Sequence, residues 1–202
     1  MKKNKFIVGV SSLGIAALLM TGCAKVPQEQ IDAAQLSVNN AKAAGAETYL
    51  VEEYTAVVES MNTAMVEIEN QNSKFFKNYD DATTMLQSVA AQAEDVIANT
   101  EAKKQAIKTE IATEIASIKT VIEQNRALIT QAPTGKEGTT ALMAITGELD
   151  LIETSISETD SLMNAGELFA SLEKAKAAKE KATALNTELT TVISKYKSGK
   201  VK

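Results

Sequence analysis

The stretch 111-IATEIASIKTVIEQNRALI-129 decides the fold. Ile111, Ile115, Ile118, Ile122, Asn125 and Ile129 follow one another at alternating steps of four and three residues. A period near 3.5 lays them along one stripe of an α-helix, whereas a half-buried strand would alternate every second residue. The same stepping extends outward in both directions. Upstream it runs through Tyr54, Val57, Met61, Ala64, Ile68, Gln71 and Phe75, then through Tyr79, Ala82, Leu86, Val89, Ala93 and Val96. Downstream it runs through Leu142, Ile145, Leu149, Ile152, Ile156, Thr159 and Met163, then through Ala175, Ala178, Ala182, Leu185, Leu189, Val192 and Tyr196.

Punctuation between the stripes is sparse. Pro27 and Pro133 are the only prolines, and Gly45, Gly166 and the pair Asn72 and Ser73 mark further turns. Together these signals predict five helices, over 28–44, 48–72, 75–132, 139–163 and 167–197. The third would run about 85 Å if unbroken. Polar residues at 99–105 interrupt its stripe, so the long helix is expected to pass there from one set of partners to another. The expected fold class is all-α, an elongated antiparallel helical bundle whose simplest form is two three-helix bundles sharing one long helix. The corresponding divisions are 28–104, 105–198 and a basic tail at 199–202. No sustained 34-residue period supports a solenoid.

Composition narrows the chemistry. Aromatic residues make up 4% of the chain and tryptophan is absent, so the core must be built from Ala, Ile, Val, Leu and Met, which suits thin, closely approaching helices. There is no histidine and a single cysteine, Cys23, which excludes disulfides within the chain and His-based zinc sites. The net charge of −5 argues against a nucleic-acid partner.

The first 22 residues read as a segment separate from the fold. Lys2, Lys3 and Lys5 precede an apolar run over 6–20, and Thr21, Gly22 and Cys23 follow it. That order is the export pattern, and the run is shorter than the roughly 20 residues needed to span a bilayer core. The segment LMTGC at 19–23 resembles the lipobox of bacterial lipoprotein precursors. The resemblance implies cleavage between Gly22 and Cys23, a diacylglycerol thioether and an N-acyl chain on Cys23, and a lipidated tether over 23–27. No other cofactor is expected. Loss of the three lysines takes the net charge from −5 to −8. Two or three acyl chains hold a protein at a membrane far more firmly than one. Ala24, in place of an aspartate, implies the outer membrane facing the periplasm in a two-membrane bacterium, and the outer face of the plasma membrane otherwise.

Further segments, AKAAGAETY at 41–49, the stripe over 54–64 and YDDA at 79–82, loosely resemble an alanine-rich helical envelope lipoprotein family of unknown function, over residues 30–102. This implies fold and location only.

Candidate chemistry is thin. The acid pairs Glu52 and Glu53, and Asp80 and Asp81, are neighbours that cannot share a helix face, and first-turn placement beside a positive helix terminus explains them. Asn125 either sits buried in the isoleucine stripe, fixing register, or faces solvent. Gly147 interrupts a good helix through close approach of a neighbour or a kink. Residues 137–173 carry eight acids and no lysine or arginine, whereas 174–202 hold eight lysines against Glu180 and Glu188. Antiparallel pairing of the last two helices accounts for that asymmetry. Lys195, Lys197, Lys200 and Lys202 lie beyond the last acid and are candidates for contact with anionic lipid or cell-wall polymer. The terminal Lys202 also resembles the wall-linked lysine of small peptidoglycan-bound helical lipoproteins, which implies a covalent link there.

The function expected from these features is a membrane-anchored envelope lipoprotein acting as a non-enzymatic helical scaffold, spacer or adaptor. It would meet an envelope protein or cell-wall partner, and self-association is open. The alternative is a periplasmic carrier holding a small apolar ligand or lipid in a groove lined by Met61, Met65 and Phe75.

Overall fold

A computed structural model describes residues 24–132 and 136–199, and within them the chain is all-helical with no strand. Six helices follow in order: α1 (Gln28–Ala43), α2 (Ala46–Tyr49), α3 (Val51–Asn72), α4 (Asp80–Ile129), α5 (Lys136–Asn164) and α6 (Leu168–Gly199). Helix α4 has 50 residues and contacts all five other helices, α1, α2, α3, α5 and α6. At 1.5 Å per residue it is about 75 Å long.

Two cores lie along α4. The first gathers residues of α1, the α2 turn, α3 and the first part of α4, ending at Val96, with Ile31, Tyr54, Val58 and Met65 packed around it. The second begins at Ile107 and joins the rest of α4 to α5 and α6. Between them the helix does not break. Thr100 is buried in this interval and its hydroxyl donates to the Val96 carbonyl at 2.7 Å, which satisfies it within the helix.

Chain direction follows from the contacts. Helices α3 and α4 form a hairpin through 73–79, and α5 and α6 another, in which Ser171 reaches Thr159 and Lys174 meets Glu158. Against α4, the pairs Glu110 with Lys176, Glu114 with Lys179 and Asn125 with Ala182 rise together, so α6 runs parallel to the second half of α4. Each three-helix unit is thus up, down, up.

Helix α5 begins at Lys136 rather than 139 and α6 ends at Gly199 rather than 197, and three further departures from the expected boundaries have a local cause. The long helix begins at Asp80, not at 75, because the Asn78 side chain accepts a hydrogen bond from the Asp80 N–H at 2.8 Å, an Asx turn that competes with helix. It ends at Ile129, not at 132: Ala132 precedes Pro133, a position that disfavours α backbone, and the chain closes with tight turns from Gln131 to Leu128 and from Ala132 to Ile129. The helix expected over 48–72 is two, separated at Leu50, whose φ of −140° and ψ of 60° are not helical.

Two stripe positions also differ. Phe75 lies outside any helix and is 92% exposed. Near the end of α6, Ile193 is buried at 5% exposure while Val192 is 46% exposed, because two successive steps of four, from Leu185 to Leu189 to Ile193, bring the stripe closer to the true helical period than strict three-four alternation does.

Candidate functional site

Of the residues singled out in the sequence, Gly22, Cys23, Lys200 and Lys202 lie outside the described residues. Lys195 and Lys197 lie in the final turns of α6, both exposed, beyond Glu188. A helix C-terminus carries partial negative charge, so lysines there are locally favourable. The acid pairs occupy the first turns of α3 and α4. Met61 belongs to the packed N-terminal core and Met65 lies against it, whereas Phe75 is out at the α3–α4 loop, so the three share no groove.

The polar residues of the C-terminal unit tie helices together. Asn125 is fully buried and its Nδ2 donates to the Ala182 carbonyl at 2.9 Å, while its Oδ1 has no hydrogen-bond partner. The buried reading therefore holds. Ser171 donates to the Thr159 carbonyl at 2.9 Å across the α5–α6 hairpin. Around the outside run four ion pairs: Arg126 with Glu153 at 3.0 Å, Lys176 with Glu110 at 2.9 Å, Lys179 with Glu114 at 2.8 Å, and Lys174 with Glu158. Only the last joins α5 to α6. The lysines of α6 answer chiefly the acids of α4, which corrects the expectation that the two final helices neutralise each other. The hydrogen bond that the Lys176 ammonium donates to Glu110 holds its pKa above the usual lysine value, against a smaller opposing effect of burial.

The junction between the units is built on two glycine turns and a tyrosine. Gly45 and Gly166 both adopt positive φ, 92° and 83°, and end their helices in left-handed turns. Tyr49, just past the first turn, donates its hydroxyl to the Gly166 carbonyl at 3.0 Å and packs its ring on Phe169 with centroids 5.2 Å apart. Lys104 of α4 places its ammonium 5.5 Å from the Tyr49 centroid. A side chain on Gly45 would stand 3.3 Å from the Tyr49 ring, so the turn and the ring fit closely. Lys42 and Glu47 pair across the turn at 3.2 Å, and this hydrogen-bonded carboxylate raises the Lys42 pKa. The two glycines are readable as turns; the bond that joins them, from Tyr49 to Gly166 across 117 residues, is not.

The far end of the N-terminal unit carries a different feature. Phe75 and Phe76 are 92% and 83% exposed and meet edge to face at 5.0 Å. The loop beneath them is braced. Tyr79 is buried and donates to Asn72 Oδ1 at 3.3 Å, Lys77 donates to the same oxygen at 2.8 Å, and the Asn78 N–H reaches Gln71 Oε1 at 3.4 Å. Tyr79 thus fills the place at the end of the core, and the two phenylalanines stand outside it.

Elsewhere the surface offers an open depression of about 400 Å³ on α5, lined by Leu142, Met143, Thr146 and Gly147 among others. Nothing lies within 4 Å of where a Gly147 side chain would begin, so close approach does not explain that glycine. Among the described residues no helix is long and apolar enough to cross a membrane. Comparisons with known protein families, with curated proteins and with solved structures return no match for this chain.

Proposed function

We propose that the chain is an envelope lipoprotein, acylated at Cys23 and anchored without spanning, whose helical body is a non-enzymatic spacer or adaptor. The observation that carries this reading is α4, an unbroken helix of 50 residues shared by two cores. Such an element sets two packed units one after the other along a helix about 75 Å long. Helix α1 begins on the first unit and α6 runs parallel to α4 toward the opposite end, so residue 24 and the Lys195 and Lys197 region lie at opposite ends of the rod. With Cys23 bonded to Ala24, one end sits at the membrane and the lysine-bearing end is presented to an anionic wall polymer or an acidic protein face.

Cross-linking in intact cells, followed by mass spectrometry of everything attached and of the chain's own N-terminal peptide, tests both parts. The expected result is a peptide that begins at an acylated Cys23, together with a reproducible envelope protein or muropeptide linked near the end of α6. Recovery of the chain alone, with an intact residue 1–22 segment, overturns the reading.

A further inference from the structure

We infer that the Phe75–Phe76 loop is a second membrane contact, a lipid-interface tip that stands the N-terminal unit upright on an anionic bilayer. The exposure of the two rings is built into the loop: Tyr79 occupies the end of the core, and the bonds from Tyr79, Lys77 and Asn78 to Asn72 and Gln71 hold residues 73–79 in a shape from which neither phenylalanine reaches the helices. Adjacent aromatic rings flanked by Lys74 and Lys77 match the bilayer interface, where rings enter the headgroup region and ammonium groups meet lipid phosphate. Glu69, Asp80 and Asp81 stand on the neighbouring helix ends, behind the tip rather than within 74–77.

Position selects lipid over other occupants. The turn at Gly45 lies against Lys104, and α1 runs back from there for 16 residues, about 24 Å, toward the start of α4. Along α4, Asp80 is about 36 Å from Lys104. Gln28 therefore lies toward the tip's end of the molecule, about 12 Å short of the Asp80 end of α4, and residues 24–27 join it to Cys23. A second copy of the chain fits poorly, since two exposed phenylalanines a side bury well under the roughly 1,200 Å² of a stable interface. The inference rests on the proposed acylation for this placement, because a tethered tip meets the bilayer at high effective concentration.

The chain has no tryptophan, so Phe76→Trp gives a single reporter at the tip. The full chain bearing it, purified from membranes and reconstituted into phosphatidylcholine vesicles containing phosphatidylglycerol, is expected to show blue-shifted emission quenched by lipids brominated near the headgroup. Ser194→Trp, at the opposite end, is expected to keep the emission of an exposed indole. No shift at 76, or an equal shift at 194, overturns the inference. Flotation and the mass of the N-terminal peptide report the anchor separately. Both cores consist of residues beyond 23, so the chain from 24 to 202 can be titrated untethered with the same vesicles. There Phe76→Trp is expected to shift at high lipid, and Phe75→Ser in that background to weaken partitioning by about tenfold. A chain without acyl groups whose tip still shifts overturns the anchor and leaves the tip standing; a tip that never shifts fails whatever the anchor does.

Discussion

The two units strung on α4 use the same stripe spacing and opposite packing chemistry. In the N-terminal core the recurrent buried residue is alanine, at Ala34, Ala41, Ala46, Ala64, Ala82 and Ala93. Alanine at a seam lets helices approach closely, and register then comes from small side chains that admit nothing larger. In the C-terminal core α4 contributes Ile107, Ile111, Ile115, Ile118 and Ile122, set against small residues of α6 such as Ala178 and Ala182. Large meets small across the seam. This unit also holds Asn125, Thr159 and Ser171 in its interior and all four of the ion pairs described between α4, α5 and α6. One seam is specified by volume, the other by volume together with polar bonds.

That contrast can be broken by substitution. The largest effect is expected from Ile118→Ala, which empties a fully buried site and costs about 2–5 kcal/mol. Hydrogen exchange should rise first in residues 105–199; a loss shared equally by both units would mean that they are one packing unit. Next comes Ala93→Leu, which forces extra volume between closely spaced helices at a cost of about 1–3 kcal/mol, with exchange rising in residues 28–96. If it is tolerated, the alanines are not what sets the spacing.

Smaller effects sharpen the picture. Asn125→Leu removes a buried oxygen that has no partner, so urea denaturation should show a gain of about 1 kcal/mol, while broadened amide spectra would reveal lost register. A loss of stability would assign the amide a supporting role. Gly147→Ala should stabilise the protein by about 0.5–1 kcal/mol in thermal melts, because the added methyl meets nothing. The least effect concerns pH. Lys176 is raised above its ordinary value of 10.5 by Glu110, so its pairing stabilises the fold below that value and is lost as pH rises through the folded pKa. Glu110→Gln should therefore flatten the alkaline fall in stability slightly, measured against wild type across that range.

The stripes were legible because a 3.5-residue period is a strong, redundant signal, and residues 99–105 stand where the buried face of α4 passes from one core to the other. Exceptions arose where a local bond outweighs periodicity. Phe75 fits the stripe by number, yet the Asx turn at Asn78 and the burial of Tyr79 pull the chain out of helix before it. The direction of the α6 lysines was illegible for a different reason: charge asymmetry identifies a partner's sign, and both α4 and α5 supply acids. Tyr49 offered only its position after a glycine turn. Its bond to Gly166 depends on how two hairpins meet, which no local pattern encodes.

That bond has a mechanical consequence. Where the cores give way to one another, between Val96 and Ile107, α4 has its thinnest cover, and a lone helix there would act as a springy coupling. Tyr49, wedged on Phe169, hydrogen-bonded to Gly166 and capped by Lys104, braces that gap from the side. A pull on one end of the rod is then shared between backbone and strut, and Tyr49→Ala would leave a molecule of the same length that bends in the middle.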